Sequence, residues 1–348
     1  MTLRSLITAI AVVCLFVGVA GYSLLSANTA PVVNVLGAPS VHSKGKDLPG
    51  LAVNLTFSQD GSRLVVWQKD GTILSWDLST GRAKPLGRSD TVFAACGAKD
   101  LMLKATDGGV LSVETLAGKV VTRLELGQLE HVAWSKDCSK FALAPKDKSQ
   151  VELWDGRQLF HLATTPTSMP VRGGLSLSAD GGELAVVVGE KSAAMGHRTV
   201  IEVFSHQEDG KLARRALYSA ANSALGLWKM VFNPRAPYLY VGSQIAEKSE
   251  LRSFETSTGS ETWHQSGGQA HGVRALAVSP DGTQLISGDD QGLLHIRNAA
   301  TGERLASYKT GLVAQSVAFS NDGRKLAVAL WDGTIAILDV YGHLNAGT

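Results

Sequence analysis

The sequence predicts an all-β fold, a closed ring of seven four-stranded sheets preceded by one N-terminal apolar helix. Two observations lead to this prediction. A segment of roughly 40–50 residues, the length typical of one such sheet, recurs seven times along the chain. Each copy alternates short apolar runs with Asp-Gly and similar turn signals. The composition agrees, because 348 residues with 44% hydrophobic side chains and 37 Gly can form a large core with many tight turns.

Residues 1–30 differ in composition from the rest of the chain. Residues 5–27 carry no charge, only Arg4 precedes them, and the next basic residue is Lys44. This asymmetry predicts a cytoplasmic N-terminus and an extracytoplasmic bulk, in the periplasm or an equivalent space. The apolar run approaches the roughly 20 residues that a bilayer core requires, which favours a membrane anchor through residues 5–27. A signal peptide cleaved after about residue 27, giving a secreted protein, and a buried soluble helix are the alternatives.

The repeat is clearest at residues 275–309. There an apolar strand, an Asp-Gly turn, a second strand, another turn, a third strand, an Ala-Thr-Gly turn and a fourth strand follow one another. Five copies carry an Asp in the first turn, and two degenerate copies lie in the long gaps between them, at 92–113 and 230–254. Four short strands per repeat are typical of the blades of a β-propeller.

These segments resemble the WD-repeat family. Trp76-Asp77 and Trp154-Asp155 match the dipeptide that names the family, residues 279–282 match its first turn, and residues 271–272 match a permuted form of its Gly-His pair. The resemblance covers about residues 50–340 and implies a seven-bladed propeller of the bacterial type. It implies no particular function, because a fold of this kind serves many functions.

The resemblance also implies a hydrogen-bonded tetrad of His, Ser or Thr, Asp and Trp within a blade. The sixth copy has candidates at His271, Ser287 and Asp290, but Arg297 stands at the Trp position. Most of the tetrad is missing from the other copies. We therefore expect apolar packing between neighbouring blades to stabilise the ring.

The seventh copy lacks a fourth strand. Its three strands fall at 316–319, 325–329 and 334–338, and an apolar sheet edge would remain exposed without another one. Residues 31–36, Pro-Val-Val-Asn-Val-Leu, form a β-rich run with no partner of their own. We assign them to the outer edge of the last blade, so that the propeller domain spans 31–348 and residues 31–37 close it.

Cys96 and Cys138 lie outside the apolar N-terminal segment, in a part of the chain that we expect to be exported and therefore oxidised. In the repeat alignment Cys96 takes the Ser place of the first turn of the second copy. Cys138 takes the Gly place of the same turn in the third copy. Because equivalent turns of consecutive blades lie side by side, we predict a disulfide between them.

No catalytic or cofactor motif occurs in the sequence. There is no GxSxG, HExxH, phosphate loop or dinucleotide motif after a strand, and no Cys or His cluster with metal-ligand spacing. We therefore predict no enzymatic activity, no cofactor and no metal site, and expect lone histidines such as His131 to pack within strands. The net charge of +2 offers no electrostatic footprint for nucleic acid.

Long turns indicate where a partner would bind. In a propeller the turns between second and third strands share one face with the connections between blades, and residues 190–198 and 244–249 are long insertions there. Binding commonly resides on such loops, although simple solvated turns are the alternative. The predicted partner-binding face comprises Glu190, Lys191, His197, Arg198, Trp331, Lys146 and Lys148.

These features together predict an exported, membrane-tethered propeller that acts as a protein-interaction scaffold or as an accessory subunit of a larger complex. The alternative is a propeller subunit of a periplasmic enzyme, such as a quinone-type dehydrogenase or a lactonase-like hydrolase. That alternative requires clustered His or acidic ligands around the central channel. The predicted inner strands offer mainly Ser and aliphatic residues instead, at 55–58, 132–135, 275–279 and 316–320.

Overall fold

A computed structural model describes residues 32–36, 51–192, 196–221, 229–245, 248–266 and 272–340. Seven four-stranded antiparallel sheets form the blades of a propeller. The predicted all-β, seven-bladed architecture is therefore confirmed. Residues 1–30, which include the predicted apolar helix, lie outside the described residues. Within the described part of the chain, no helix is long and apolar enough to cross a membrane.

The first four blades follow chain order from the inner to the outer strand. Their strands are β2 (Ala52–Phe57), β3 (Arg63–Gln68), β4 (Thr72–Asp77) and β5 (Arg82–Arg88); β6 (Phe93–Cys96), β7 (Leu101–Ala105), β8 (Val110–Thr115) and β9 (Val120–Glu125); β10 (Leu129–Trp134), β11 (Lys140–Pro145), β12 (Gln150–Asp155) and β13 (His161–Pro166); and β14 (Val171–Leu177), β15 (Glu183–Ser192), β16 (Gly196–His206) and β17 (Leu212–Ala221).

The last three blades continue this order until the ring closes. Their strands are β18 (Lys229–Phe232), β19 (Tyr238–Ile245), β20 (Lys248–Glu255) and β21 (Glu261–Ser266); β22 (Ala275–Val278), β23 (Gln284–Gly288), β24 (Leu293–Asn298) and β25 (Arg304–Lys309); and β26 (Ala314–Phe319), β27 (Lys325–Leu330), β28 (Ile335–Asp339) and β1 (Val32–Leu36).

Strand β1 supplies the outer edge of the seventh blade. It pairs antiparallel with β28, from Val32 opposite Leu338 to Leu36 opposite Ile335. The start of the propeller domain thereby completes the sheet at its end, and β28 gains a paired edge. Pairing between segments so far apart in sequence makes the ring a single closed unit.

The hydrophobic core is divided among the interfaces between blades. Leu64 and Trp76 of blade one pack with Ala327 and Ile337 of blade seven, for example. Equivalent clusters join blades three and four, four and five, and six and seven. Apolar packing between blades therefore dominates the core, as the loss of the polar tetrad predicts.

We call the face with the turns between first and second strands the lower face. Most of its turns share one hydrogen-bonded pattern. In blade one the Ser58 hydroxyl donates to the Asp60 carboxylate over 2.6 Å, and Asp60 also accepts the Ser62 backbone N–H over 2.9 Å. Gly61 between them has a φ of +67°, a left-handed conformation that favours glycine. Blades three, four, six and seven repeat the Ser–Asp hydrogen bond.

The predicted disulfide between Cys96 and Cys138 is present on this face, with a Cα–Cα distance of 5.9 Å. Cys138 has a φ of +56°, the conformation that glycine adopts in the equivalent turns. Other contacts join neighbouring lower turns directly. The Gln59 N–H donates to Asp100 over 2.8 Å, and the Asp137 N–H donates to the Ala179 carbonyl over 3.0 Å. The lower turns are therefore cross-linked around much of the ring.

Candidate protein-docking face

The opposite, upper face carries the turns between second and third strands and the connections between blades. Blade four extends furthest there. Its strands β15 and β16 pair from Glu183 to Ser192, and Glu190 faces Arg198 while Lys191 faces His197. The predicted insertion is therefore a prolongation of a hairpin rather than an irregular loop. The apolar core ends at Val188 and Val200, so the prolonged part lies beyond it, and Glu190 is exposed.

Blade five carries a shorter extension beside it. Strands β19 and β20 continue their pairing to Ile245 opposite Lys248, where most other hairpins have already turned. Each extra pair lengthens a hairpin by about 3.4 Å. The two prolonged hairpins, on neighbouring blades, therefore raise one side of the upper face above the rest of the ring.

Lys146 and Lys148 lie in the β11–β12 turn of blade three, next to the prolonged hairpin of blade four. Both side chains are exposed. Lys146 Nζ donates to Gln128 Oε1 over 3.2 Å, which ties this turn to the preceding blade connection. These two lysines and the hairpin of blade four thus occupy adjacent blades, and the structure brings this part of the predicted face together.

Trp331 lies on the same face but in the β27–β28 turn of blade seven, three blades away from blade four. Its side chain is 46% exposed, and its backbone N–H donates to the Val313 carbonyl over 3.0 Å. That bond places it beside the connection that carries Leu312, which is 40% exposed. The predicted face therefore consists of two separate patches. Sequence reasoning missed Leu312, because no repeat position marks a connection residue as exposed.

The innermost strands also carry polar residues. Burial lowers the pKa of His131 on β10 to about 4, so the imidazole is neutral at pH 7. This agrees with the predicted role as a packed strand residue. Lys229, at the upper end of β18, is exposed. In the described part of the chain, no group of His, Cys, Asp and Glu could hold a metal ion.

Of the tetrad candidates in the sixth blade, Ser287, Asp290 and Arg297 lie among the described residues. Asp290 accepts hydrogen bonds from Arg274, over 2.6 Å to Nε and 3.3 Å to Nη2. Ser287 and Arg297 line a groove between blades five and six. His271 lies outside the described residues.

The ring of seven blades has two unlike faces, a regular lower one and a variable upper one. Residues 262–298 and 304–339 match the family model described as WD domain, G-beta repeat. This match and the ring of seven blades support a propeller of the WD-repeat family. The first matched segment starts in the outer strand of blade five and continues into blade six, so the sequence repeat is offset by one strand from the blade.

Known structures support the fold. A solved Kuenenia stuttgartiensis structure titled Hydrazine Synthase aligns with a TM-score of 0.68 at 16% identity, covering 87% of this chain and 99% of that chain. Similarity at this level of identity shows the fold alone. No curated protein matches the chain.

Proposed function

We propose that this chain is a protein-interaction scaffold, or an accessory subunit of a larger complex, that docks a partner protein on its upper face. The observation that carries the proposal is the patch formed by Leu312 and Trp331, two large apolar side chains exposed by 40% and 46% beside each other on a rigid ring. Trp is enriched among the residues that dominate binding energy in protein interfaces. Exposed Lys146, Lys148 and Glu190 supply polar contacts on the other side of this face.

We also propose that the chain is exported and tethered to a membrane through residues 5–27, with the propeller in an extracytoplasmic space. The disulfide between Cys96 and Cys138 supports this, because such bonds persist in oxidising compartments. A C-terminal fusion to alkaline phosphatase should be active, and an inactive fusion would overturn the topology. A mature protein that begins near residue 28 would contradict the anchor alone.

We propose that binding, rather than catalysis, is the role of this propeller, with no cofactor and no nucleic acid as partner. The Kuenenia structure that shares the fold is titled as an enzyme, so the competing proposal is a propeller subunit of a periplasmic enzyme. The purified chain distinguishes the two. Turnover of a lactone or alcohol substrate, or a chromophore that co-purifies with it, would favour the enzyme.

The docking proposal is tested by affinity capture from detergent-solubilised membranes. The double variant Leu312→Ala/Trp331→Ala should lose the partner that the unmodified chain captures. Phe160→Ala is the matched control, because Phe160 is also 46% exposed but lies in a lower-face turn of blade three. Both variants should unfold at the same temperature as the unmodified chain.

Three results would count against this face. Equal capture by the double variant and the unmodified chain would show that the patch is not a contact. Equal loss in the Phe160→Ala control would show that capture depends on general surface apolarity. Reduced thermal stability of the double variant would assign Trp331 a structural role instead.

A further inference from the structure

A groove of about 600 Å³ lies between blades five and six, apart from the upper-face patches. Volumes of roughly 300–1,000 Å³ are typical of sites for small organic ligands. The side chains that line it include Leu251 and Gln265 of blade five and Ser287, Leu293, Arg297 and Arg304 of blade six.

Arg297, which lines the groove, is an unusual residue at a position that recurs in every blade. In the third strand of each blade, one side chain faces the preceding blade, and it lies opposite a fixed partner in the second strand. Arg297 pairs with Leu285 in this register, as Trp76 pairs with Leu64 in blade one. The equivalent residues in the other blades are Glu114, Trp154, Phe204, Phe254 and Leu338. Bulky apolar groups fill this space in five blades, whereas the slender Arg297 leaves it open.

The other charged residue of this series, Glu114, is neutralised within its own blade. Lys104 Nζ lies 2.7 Å from its Oε2 atom, and both side chains are largely buried. Arg297 forms no ion pair with any described residue. Its Nη1 donates to the Gly302 carbonyl over 3.2 Å, and its Nε is buried with no hydrogen-bond partner among the described residues. The charge of Arg297 is therefore not paired within the described part of the chain.

The charges around Arg297 favour an anion. Burial and then the neighbouring Arg304 lower the pKa of Arg297, since Arg304 adds a second positive charge beside it. Of the two acidic residues that line the groove, Asp289 is already bonded to His295 over 3.3 Å and to two backbone N–H groups. Glu303 is exposed at the rim. The uncompensated charge inside the groove is therefore positive.

One wall of the groove is preformed. Gly302 has a φ of +73°, and a Cβ there would lie 2.7 Å from the ring of Trp263. Trp263 Nε1 donates to the Ala299 carbonyl over 3.1 Å, which holds the indole of blade five against the turn of blade six. This contact keeps the Gly302 carbonyl, and with it the guanidinium of Arg297, in place without a ligand.

We propose that this groove binds the carboxylate group of an organic ligand, held by the guanidinium of Arg297 with Arg304 beside it. A planar guanidinium pairs with a carboxylate through two parallel hydrogen bonds. Leu251 and Leu293 offer an apolar surface for the carbon chain of the ligand. The carboxylate can belong to a free small acid or to an acidic side chain of a peptide.

Isothermal titration calorimetry on the purified full chain tests this with two probes, succinate and the capped peptide acetyl-Ala-Glu-Ala-Glu-amide, against sodium chloride at equal ionic strength. At least one probe should bind. Arg297→Gln should weaken its affinity about 10- to 100-fold, the effect of losing hydrogen bonds to a charged group. Arg297→Lys should weaken it less, because the charge remains while the paired geometry is lost. Arg157→Gln, at an exposed arginine of the lower face, should change nothing.

Arg297→Trp is a second variant that tests the proposal if Arg297→Gln folds poorly. It restores the bulky aromatic group of blades one and three, so it should unfold at the same temperature as the unmodified chain or higher and bind neither probe. Tighter binding of succinate would identify a free acid as the source, and tighter binding of the peptide an acidic side chain. The proposal is overturned if neither probe binds more strongly than chloride, or if Arg297→Trp binds like the unmodified chain. Neither result bears on the upper-face patch.

Discussion

The lower and upper faces of this propeller are built from the same repeat but differ in regularity. On the lower face, the Ser–Asp hydrogen bond recurs in five blades, and a disulfide joins the degenerate second blade to the third. On the upper face, the hairpins differ in length from blade to blade. The difference indicates that the lower turns stabilise the ring, while the upper turns are free to vary, as the proposed docking role requires.

The largest effect should come from the lower face. Replacing Cys96 and Cys138 by Ser removes a bridge that closes a loop of about 42 residues, worth about 4 kcal/mol in the chain-entropy model. Urea unfolding under non-reducing conditions measures the loss. The double variant Cys96→Ser/Cys138→Gly should lose less, because Gly adopts the positive φ of residue 138 without strain. Equal stability of the Ser variant and the oxidised chain would contradict a structural bridge.

Acid should weaken the ring before it affects the lower turns. The pKa of His131 is about 4 in the folded chain against 6.5 in the unfolded one, so the unfolded state binds the proton first as pH falls. Stability should therefore decrease between pH 6.5 and 4, by about 3 kcal/mol in total. His131→Gln should flatten this part of a urea-unfolding series across pH. An unchanged slope in that variant would show that His131 does not titrate this way.

Further acidification should act on the lower turns. The hydrogen bond from Ser58 lowers the pKa of Asp60 to about 2, and that from Ser320 lowers the pKa of Asp322. Their stabilising contribution is present above the unfolded pKa of 3.8 and is lost as pH falls through the folded value. The second loss should therefore appear below about pH 4 even in the His131→Gln background.

Blade seven offers a matched pair of aspartates, one on each face. Asp322 of the lower face accepts hydrogen bonds from the buried Ser320 over 2.5 Å and from the Arg324 N–H over 3.0 Å. Asp332 of the upper face bonds only to Thr334 among the described residues, in an exposed turn. Asp322→Ala should cost about 1–2 kcal/mol, and Asp332→Ala about 0.5 kcal/mol or less. Equal costs would break the distinction between the faces.

The smallest effect should come from shortening the upper face. Replacing residues 190–198 by Asn-Gly joins Gly189 to Thr199, which already face each other, through a two-residue hairpin turn. The core ends at Val188 and Val200, so thermal stability should change by about 0.5 kcal/mol or less. Capture of the partner should fall if blade four contributes to docking. A large loss of stability would assign the hairpin to the scaffold.

The sequence was informative wherever a residue could be compared with its equivalents in other repeats. The blade number, the outer strand of the last blade and the pairing of Cys96 with Cys138 all follow from repeat alignment. The predicted docking face grouped residues by the type of turn alone. Lys146 and Trp331 hold similar turn positions but belong to the third and seventh copies, so the ring places them on distant blades.

By itself, the sequence determined that the chain is a seven-bladed WD-type propeller with a regular lower face, because turn residues and strand periodicity act within one repeat. Only the tertiary structure decided that residues 190–198 prolong a hairpin, that Leu312 lies beside Trp331, and that Arg297 opens a groove. Each of these depends on how one segment packs against another that is remote in sequence. The sequence alone shows an arginine where a tryptophan is expected, but the space beside it exists only once blade five packs against blade six.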